Sequence, residues 1–204
     1  MAVTESGPQP YVYTFSWRDI AWTVVAAVST ALLLKIFVVG AFRIPSHSME
    51  NTLMPGDYIV VSKLAYTISR PERGDIVVFR IPQAAAAASP SDVLIKRVVA
   101  IGGDTVRLGR EGVFVNGRRQ PAPPTSSNTD PSTIPMASDV VVVPDGHLFV
   151  IGDNRTNSYD SRSWGFLPLE LVEGRPLFMY WSYGPDLHEP TPHIRINRLF
   201  GSIR

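Results

Sequence analysis

From Ile20 to Phe42 the chain runs 23 residues with a single charge: IAWTVVAAVSTALLL, then Lys35, then IFVVGAF. A helix rising about 1.5 Å per residue needs roughly 20 apolar residues to cross a bilayer's hydrocarbon core. Lys35 lies toward the end of the run, where its stem can snorkel to the headgroups. Tyr11, Tyr13, Phe15, Trp17 and Trp22 gather at the other end, as interfacial aromatics do. We read residues 20–42 as one transmembrane helix, residues 1–19 as a tail and residues 43–204 as a separate folded domain. A cleavable secretory signal is the rival, because Val39 and Ala41 are small residues at cleavage-site spacing. Against it, the apolar run exceeds a usual h-region and only Arg18 precedes it as a positive charge. Arg18 and Arg43 on either side leave no asymmetry from which orientation can be read.

Past residue 53 the pattern changes to short runs rich in β-branched and aromatic residues: 57–66, 75–81, 93–101, 104–108, 112–120, 139–143, 147–151 and 175–182. Pro55-Gly56, Arg73-Gly74, Gly102-Gly103, Asn116-Gly117 and Asp145-Gly146 punctuate them. This predicts a mainly β domain, with one short helix around Pro168 to Val172. Residues 83–92, QAAAAASPSD, and 121–138, rich in Pro, Ser and Thr, read as surface loops. The tail from His188 to Arg204 carries three arginines among bulky apolar residues, and suits either packing on the domain or lying on a membrane. No cysteine is present, which removes thiol nucleophiles, Cys-ligated zinc and disulfides. A net charge of +1 without a basic block argues against nucleic acid as a partner.

Three places could carry chemistry. In IPSHSMENTL, 44–53, His47 lies between Ser46 and Ser48, but adjacent side chains diverge, so it is poorly placed as a base for either serine. The other histidines show no metal-ligand spacing, and no metal or cofactor is expected. In VLIKRVVAI, 93–101, both faces are mostly apolar, so Lys96 is partly desolvated. Desolvation lowers a lysine pKa and makes the neutral amine available as a base. Periodicity alone leaves a snorkelling or ion-paired lysine equally open. Finally GDNRTNSYDSRSWG, 152–165, crowds Asp153, Arg155, Asp160 and Arg162 beside apolar residues, as in a hydrogen-bonded, ion-paired loop.

Together IPSHSMENTL, RGDIVVF, IKRVVAIGGD and GDNRTNSYDSRSWG, in that order behind an N-terminal anchor, resemble the bacterial type I signal peptidases. The resemblance implies a membrane-tethered, mainly β serine endopeptidase of that fold. It would remove signal peptides from secretory preproteins with a serine-lysine dyad. It implies Ser48 as nucleophile, Lys96 as base and Ser46 as an oxyanion-hole hydroxyl. Ser158 would orient the lysine, Asp160 and Arg162 would brace the loop, and Gly152 would leave room beside the lysine. Phe42, Ile44, Pro45, Met49, Leu53, Leu94 and Ile95 would line a cleft that accepts small residues, as in Ala-x-Ala. The catalytic domain is expected outside the cytoplasm on a single-pass anchor in the cell membrane, acting as a monomer on preproteins beside the lipid bilayer. The chain departs from the family pattern at Asn51, where proline is common, and in AIGGD, 100–104. Rival readings are a self-cleaving serine-lysine protease, which needs no anchor, and a membrane-anchored binding domain indifferent to Ser48 and Lys96.

Overall fold

The computed structural model describes residues 16–50, 52–83, 92–109, 112–121, 140–185 and 190–203. Most of the N-terminal tail and of the two expected loops lies outside the described residues, as do Asn51 and His188.

Helix α1 covers Trp17–Phe37 and opens on a capping box, in which Ser16 and Asp19 bond reciprocally to the first-turn backbone. It is long and apolar enough to cross a membrane, with a mean hydropathy of 1.3 over its best window and none of that window buried. The helix starts three residues before the apolar run and ends five before its close. Val39–Arg43 instead form strand β1, each residue paired antiparallel with Ser62 to Tyr58 of β2 (Asp57–Ser62). Tertiary pairing decides here, because β-branched Val39 and the flanking Gly40 are poor helix residues.

The remaining elements are α2 (Ala65–Ile68), β3 (Ile76–Arg80), β4 (Val93–Ile101), β5 (Thr105–Gly109), β6 (Gly112–Val115), β7 (Arg118–Arg119), β8 (Val141–Val142), β9 (His147–Ile151), α3 (Ser161–Trp164), β10 (Leu167–Pro168), β11 (Val172–Gly184) and β12 (His193–Ile194). The expected helix at 168–172 is a single 3-10 turn, Leu169–Leu171. The main antiparallel sheet runs β1-β2-β11-β3-β4-β9-β10, with β12 beside β11, and a smaller sheet runs β7-β6-β5-β8. The 13-residue β11 serves both halves of the main sheet, pairing with β3 through Val172 and Gly174 and with β2 from Arg175 onward. At its bend a Cβ on Gly174 would lie 2.3 Å from Ser62 O, so only glycine lets the strands meet.

Strand β3 is apolar on both faces, and each face has its own core. Ile76 and Val78 join Ile44, Met49, Leu53, Ile59, Val61, Ile95 and Met179. Val77 and Phe79 join Val98, Leu148, Val150 and Leu167. A third cluster, built on Val99, Val106, Val113, Val115, Val143 and Phe149, ties the smaller sheet to the larger. The C-terminal segment packs on the domain: Arg195 is 2% exposed, Ile203 is buried, and Phe200 N donates to Met179 O at 2.7 Å.

Candidate active site

Ser48 sits in the long connection of the β1–β2 hairpin. Two backbone bonds close the base of that loop, Ile44 N to Asp57 O at 2.8 Å and Gly56 N to Ile44 O at 2.9 Å. Within it His47–Met49 make one 3-10 turn, and Thr52 N and Leu53 N both return to Met49 O at 3.1 and 2.7 Å. Met49 and Leu53 are fully buried and root the turn in the core. Ser48 is itself 7% exposed, and its hydroxyl lies 3.2 Å from that of Ser46. His47 points outward and pairs with Glu50 at 3.3 Å, away from the serine hydroxyl it flanks.

Lys96 comes from the neighbouring β3–β4 hairpin, directly opposite Val77. Its Nζ lies 2.6 Å from Ser48 Oγ and donates to Ile95 O at 3.0 Å. The residue is 2% exposed and forms no salt bridge among the described residues. Loss of hydration pulls its pKa down from 10.5 to about 8; the charges of Asp160 and Asp153 resist this, and that of Arg162 adds to it. An amine at that pKa is about half neutral at pH 8, and a hydroxyl at 2.6 Å is within proton-transfer reach.

The carboxylates nearest in charge to Lys96 are already engaged. Asp160 takes both Nε and Nη2 of Arg162 at 2.8 Å, caps α3 through Arg162 N, and accepts from Gly152 N at 3.0 Å. Asp153 is clamped by Arg97 Nε and Nη2 at 2.8 and 2.7 Å, and accepts from Thr52 Oγ1 at 2.6 Å. Such bidentate pairs fix the loop that carries them. The loop also reaches Ser48, whose carbonyl accepts from Asn154 N at 3.1 Å. Gly152 is sterically compelled: a Cβ there would lie 2.5 Å from Ser48 O and 2.2 Å from Ser158 Oγ. Ser158 Oγ is buried beside it without a hydrogen-bond partner among the described residues, and the second bond of Lys96 goes to Ile95 O. A buried hydroxyl left unpaired is uncommon and marks an acceptor in waiting.

An open cleft of about 200 Å³ ends on Ser46 and Lys96. Phe42, Ile44, Pro45, Leu94 and Ile95 line it, joined by Arg43, Ile59, Val78 and Val93, which sequence reading did not single out. Met49 and Leu53, also expected there, are fully buried in the core cluster that includes Ile44 and Ile95. Sequence reading also passed over Arg97 and Thr52. Adjacency to Lys96 on a strand was the only signal for Arg97, and none marked Thr52.

A serine hydroxyl against a desolvated amine, at the end of a small apolar cleft, defines a hydrolase that works by nucleophilic attack. A family model described as signal peptidase, peptidase S26, matches residues 17–181. Probable signal peptidase I-2 of Synechocystis sp. is 39% identical over 166 residues, covering 81% of this chain and 74% of that one. Probable signal peptidase I-1 of the same organism is 39% identical over 180 residues, covering 87% and 88%. Signal peptidase I of Bacillus caldolyticus is 31% identical over 175 residues, covering 81% and 92%. The chain belongs to the signal peptidase family, peptidase S26, a family of serine endopeptidases.

Proposed function

We propose that this enzyme removes the signal peptides of secretory preproteins with Ser48 as nucleophile and Lys96 as general base, cutting after small residues in an Ala-x-Ala pattern. The observation that carries the reading is the 2.6 Å approach of a buried Lys96 Nζ, which has no salt bridge among the described residues, to Ser48 Oγ. Neutral Lys96 accepts the hydroxyl proton as Ser48 Oγ bonds to the scissile carbonyl carbon. The tetrahedral oxyanion is met by the Ser46 hydroxyl and the Ser48 N–H, a donor of this kind contributing on the order of a hundredfold to a thousandfold in rate. Lys96 then passes its proton to the departing amine as the C–N bond breaks, and a water deprotonated by Lys96 hydrolyses the ester. In the neutral lysine the two N–H bonds need acceptors; Ile95 O supplies one, and the unpaired Ser158 Oγ suits the other.

Specificity follows from size. Ile44, Ile95 and Phe42 are among the residues that wall the cleft, and an apolar wall of this kind supports selection of a small side chain such as alanine over a bulky one. The relatives' family and the exposed apolar helix support a membrane anchor. We place residues 1–16 on the cytoplasmic side, α1 as the single span in the cell membrane, and the β domain outside as a monomer. Anchoring confines enzyme and membrane-held substrate to two dimensions and raises their effective concentration.

The test is cleavage of a preprotein with an Ala-x-Ala site by detergent-solubilised wild type, Ser48→Ala and Lys96→Met, each checked by thermal melting. Loss of cutting in both folded variants supports the dyad. Equal cutting by all three removes it, and leaves room for a binding domain whose activity is a contaminant.

A further inference from the structure

Thr52 uses all of its polar atoms. Its N donates to Met49 O at 3.1 Å, its hydroxyl donates to Asp153 Oδ2 at 2.6 Å, and its carbonyl accepts from Arg198 Nη2 at 3.1 Å. Each partner leads to a different part of the fold. Met49 ends the 3-10 turn that carries Ser48. Asp153 is fully buried and held by both forks of Arg97, the residue next to Lys96 on β4, while Arg97 Nη1 is fixed in turn on Gly74 O at 2.8 Å. Arg198 belongs to the C-terminal segment and is anchored on Asp57 Oδ2 at 2.7 Å.

The nucleophile's turn and the base's strand come from different hairpins, and 48 residues of chain separate Ser48 from Lys96. Their spacing is therefore set by tertiary contacts, not by chain connectivity. Apart from the Ser48–Lys96 contact itself, the turn is held to the 152–154 loop at Ser48 O by Asn154 N, at Glu50 by Asn154 Nδ2 at 3.1 Å, and at Thr52 by Asp153. The first two both go to one residue, Asn154, and would act as a hinge. The Thr52 hydroxyl supplies the only one of these three ties that ends on the Arg97 clamp, and so refers the turn to β4.

We propose that Thr52 is a positioning residue, fastening the Ser48 turn to the carboxylate that Arg97 clamps beside Lys96, with Arg198 holding the Thr52 backbone from the far side. The role rests on the dyad reading given above. Asp153 keeps its ionic partner without the hydroxyl, so losing the tie shifts geometry more than stability. A misplacement of about 1 Å at a reacting pair is worth up to on the order of a hundredfold in rate.

Four variants test this in the full chain in detergent, with kcat, KM and melting temperature measured on an Ala-x-Ala preprotein. Thr52→Val keeps shape and removes the hydroxyl; kcat is expected to fall roughly tenfold to a hundredfold, with KM within about twofold. Thr52→Ser keeps the hydroxyl and is expected to stay within about threefold of wild type. Arg198→Lys keeps a charge for Asp57 but gives up the bridge to Thr52 O, and a fall in kcat of roughly threefold to tenfold is expected. A Thr52→Val enzyme with kcat within about twofold of wild type overturns the proposal, as does a serine variant as slow as the valine one, which would assign the effect to the methyl group. If Thr52→Val does not fold, kcat of Arg198→Lys decides, an unchanged value again overturning the role. Ser48→Ala separates the two levels. An active Ser48→Ala enzyme brings down the dyad, whereas an inactive one beside a normal Thr52→Val brings down the positioning role alone.

Discussion

Lys96 and Arg195 are equally buried cations, each 2% exposed, and the fold treats them in opposite ways. Arg195 is satisfied on every side. Its Nε donates to Ser182 Oγ at 2.7 Å, its Nη2 to Pro55 O at 2.7 Å and Asp57 Oδ1 at 3.3 Å, and its Nη1 to Pro185 O at 3.2 Å. Asp57, fully buried, also accepts from Ser182 Oγ, Met54 N and Arg198. Lys96 has a hydroxyl and one carbonyl, and the carboxylates around it are committed to Arg97 and Arg162. A permanently charged guanidinium can be buried only if paired, whereas an amine left without a counter-ion sheds its proton instead. The first arrangement holds a structure together, and the second suits the base proposed above.

The largest effect that sharpens this contrast is on rate. Replacing Lys96 by Met is expected to reduce cleavage on the order of a thousandfold to ten-thousandfold, read as kcat/KM on a preprotein, while the protein stays folded. Asp57→Asn should do the reverse, removing the buried carboxylate that Arg195 and Arg198 share and lowering unfolding free energy by about 3 to 5 kcal/mol in urea melts. A third effect is the gain in stability that accompanies inactivation by Lys96→Met. The folded pKa of Lys96 is about 8 against 10.5 for a free lysine, so its burden on folding is full below about pH 8 and disappears as pH rises toward 10.5. Lys96→Met is therefore expected to be more stable than wild type by about 3 kcal/mol at pH 7, the margin closing above pH 8. The same titration should appear in wild-type kcat/KM, which rises with pH and levels off above about 8. The smallest effect belongs to His47→Ala, within about twofold in kcat/KM, because the ring is exposed and paired only with Glu50. A large loss there would move the base to His47 and undo the comparison.

The strands were legible where alternation or apolar runs were long: 93–101 and 147–151 match β4 and β9 residue for residue. The end of the apolar helix was not legible, since Val39 to Phe42 are as apolar as the helix itself and only pairing with β2 makes them a strand. The burial of Lys96 could be suspected from its apolar neighbours, but not the absence of a counter-ion, which depends on Arg97 and Arg162 capturing Asp153 and Asp160. The full burial of Met49 and Leu53 was not legible, because a cleft-lining residue and a core residue have the same sequence signature. The Asp57–Arg195 pair spans 138 residues and left no local trace.

One residue, Val38, separates the last turn of α1 from β1, and its carbonyl accepts from Lys63 N at 2.9 Å. That junction has no slack. With α1 in the bilayer as proposed, the enzyme would behave as a depth gauge: Ser48 would stand at one height above the lipid, and a preprotein would be cut where its own chain crosses that height. The length of polypeptide between a substrate's hydrophobic segment and its cleavage point would then be dictated by this rigid stalk as much as by the side chains at the cut.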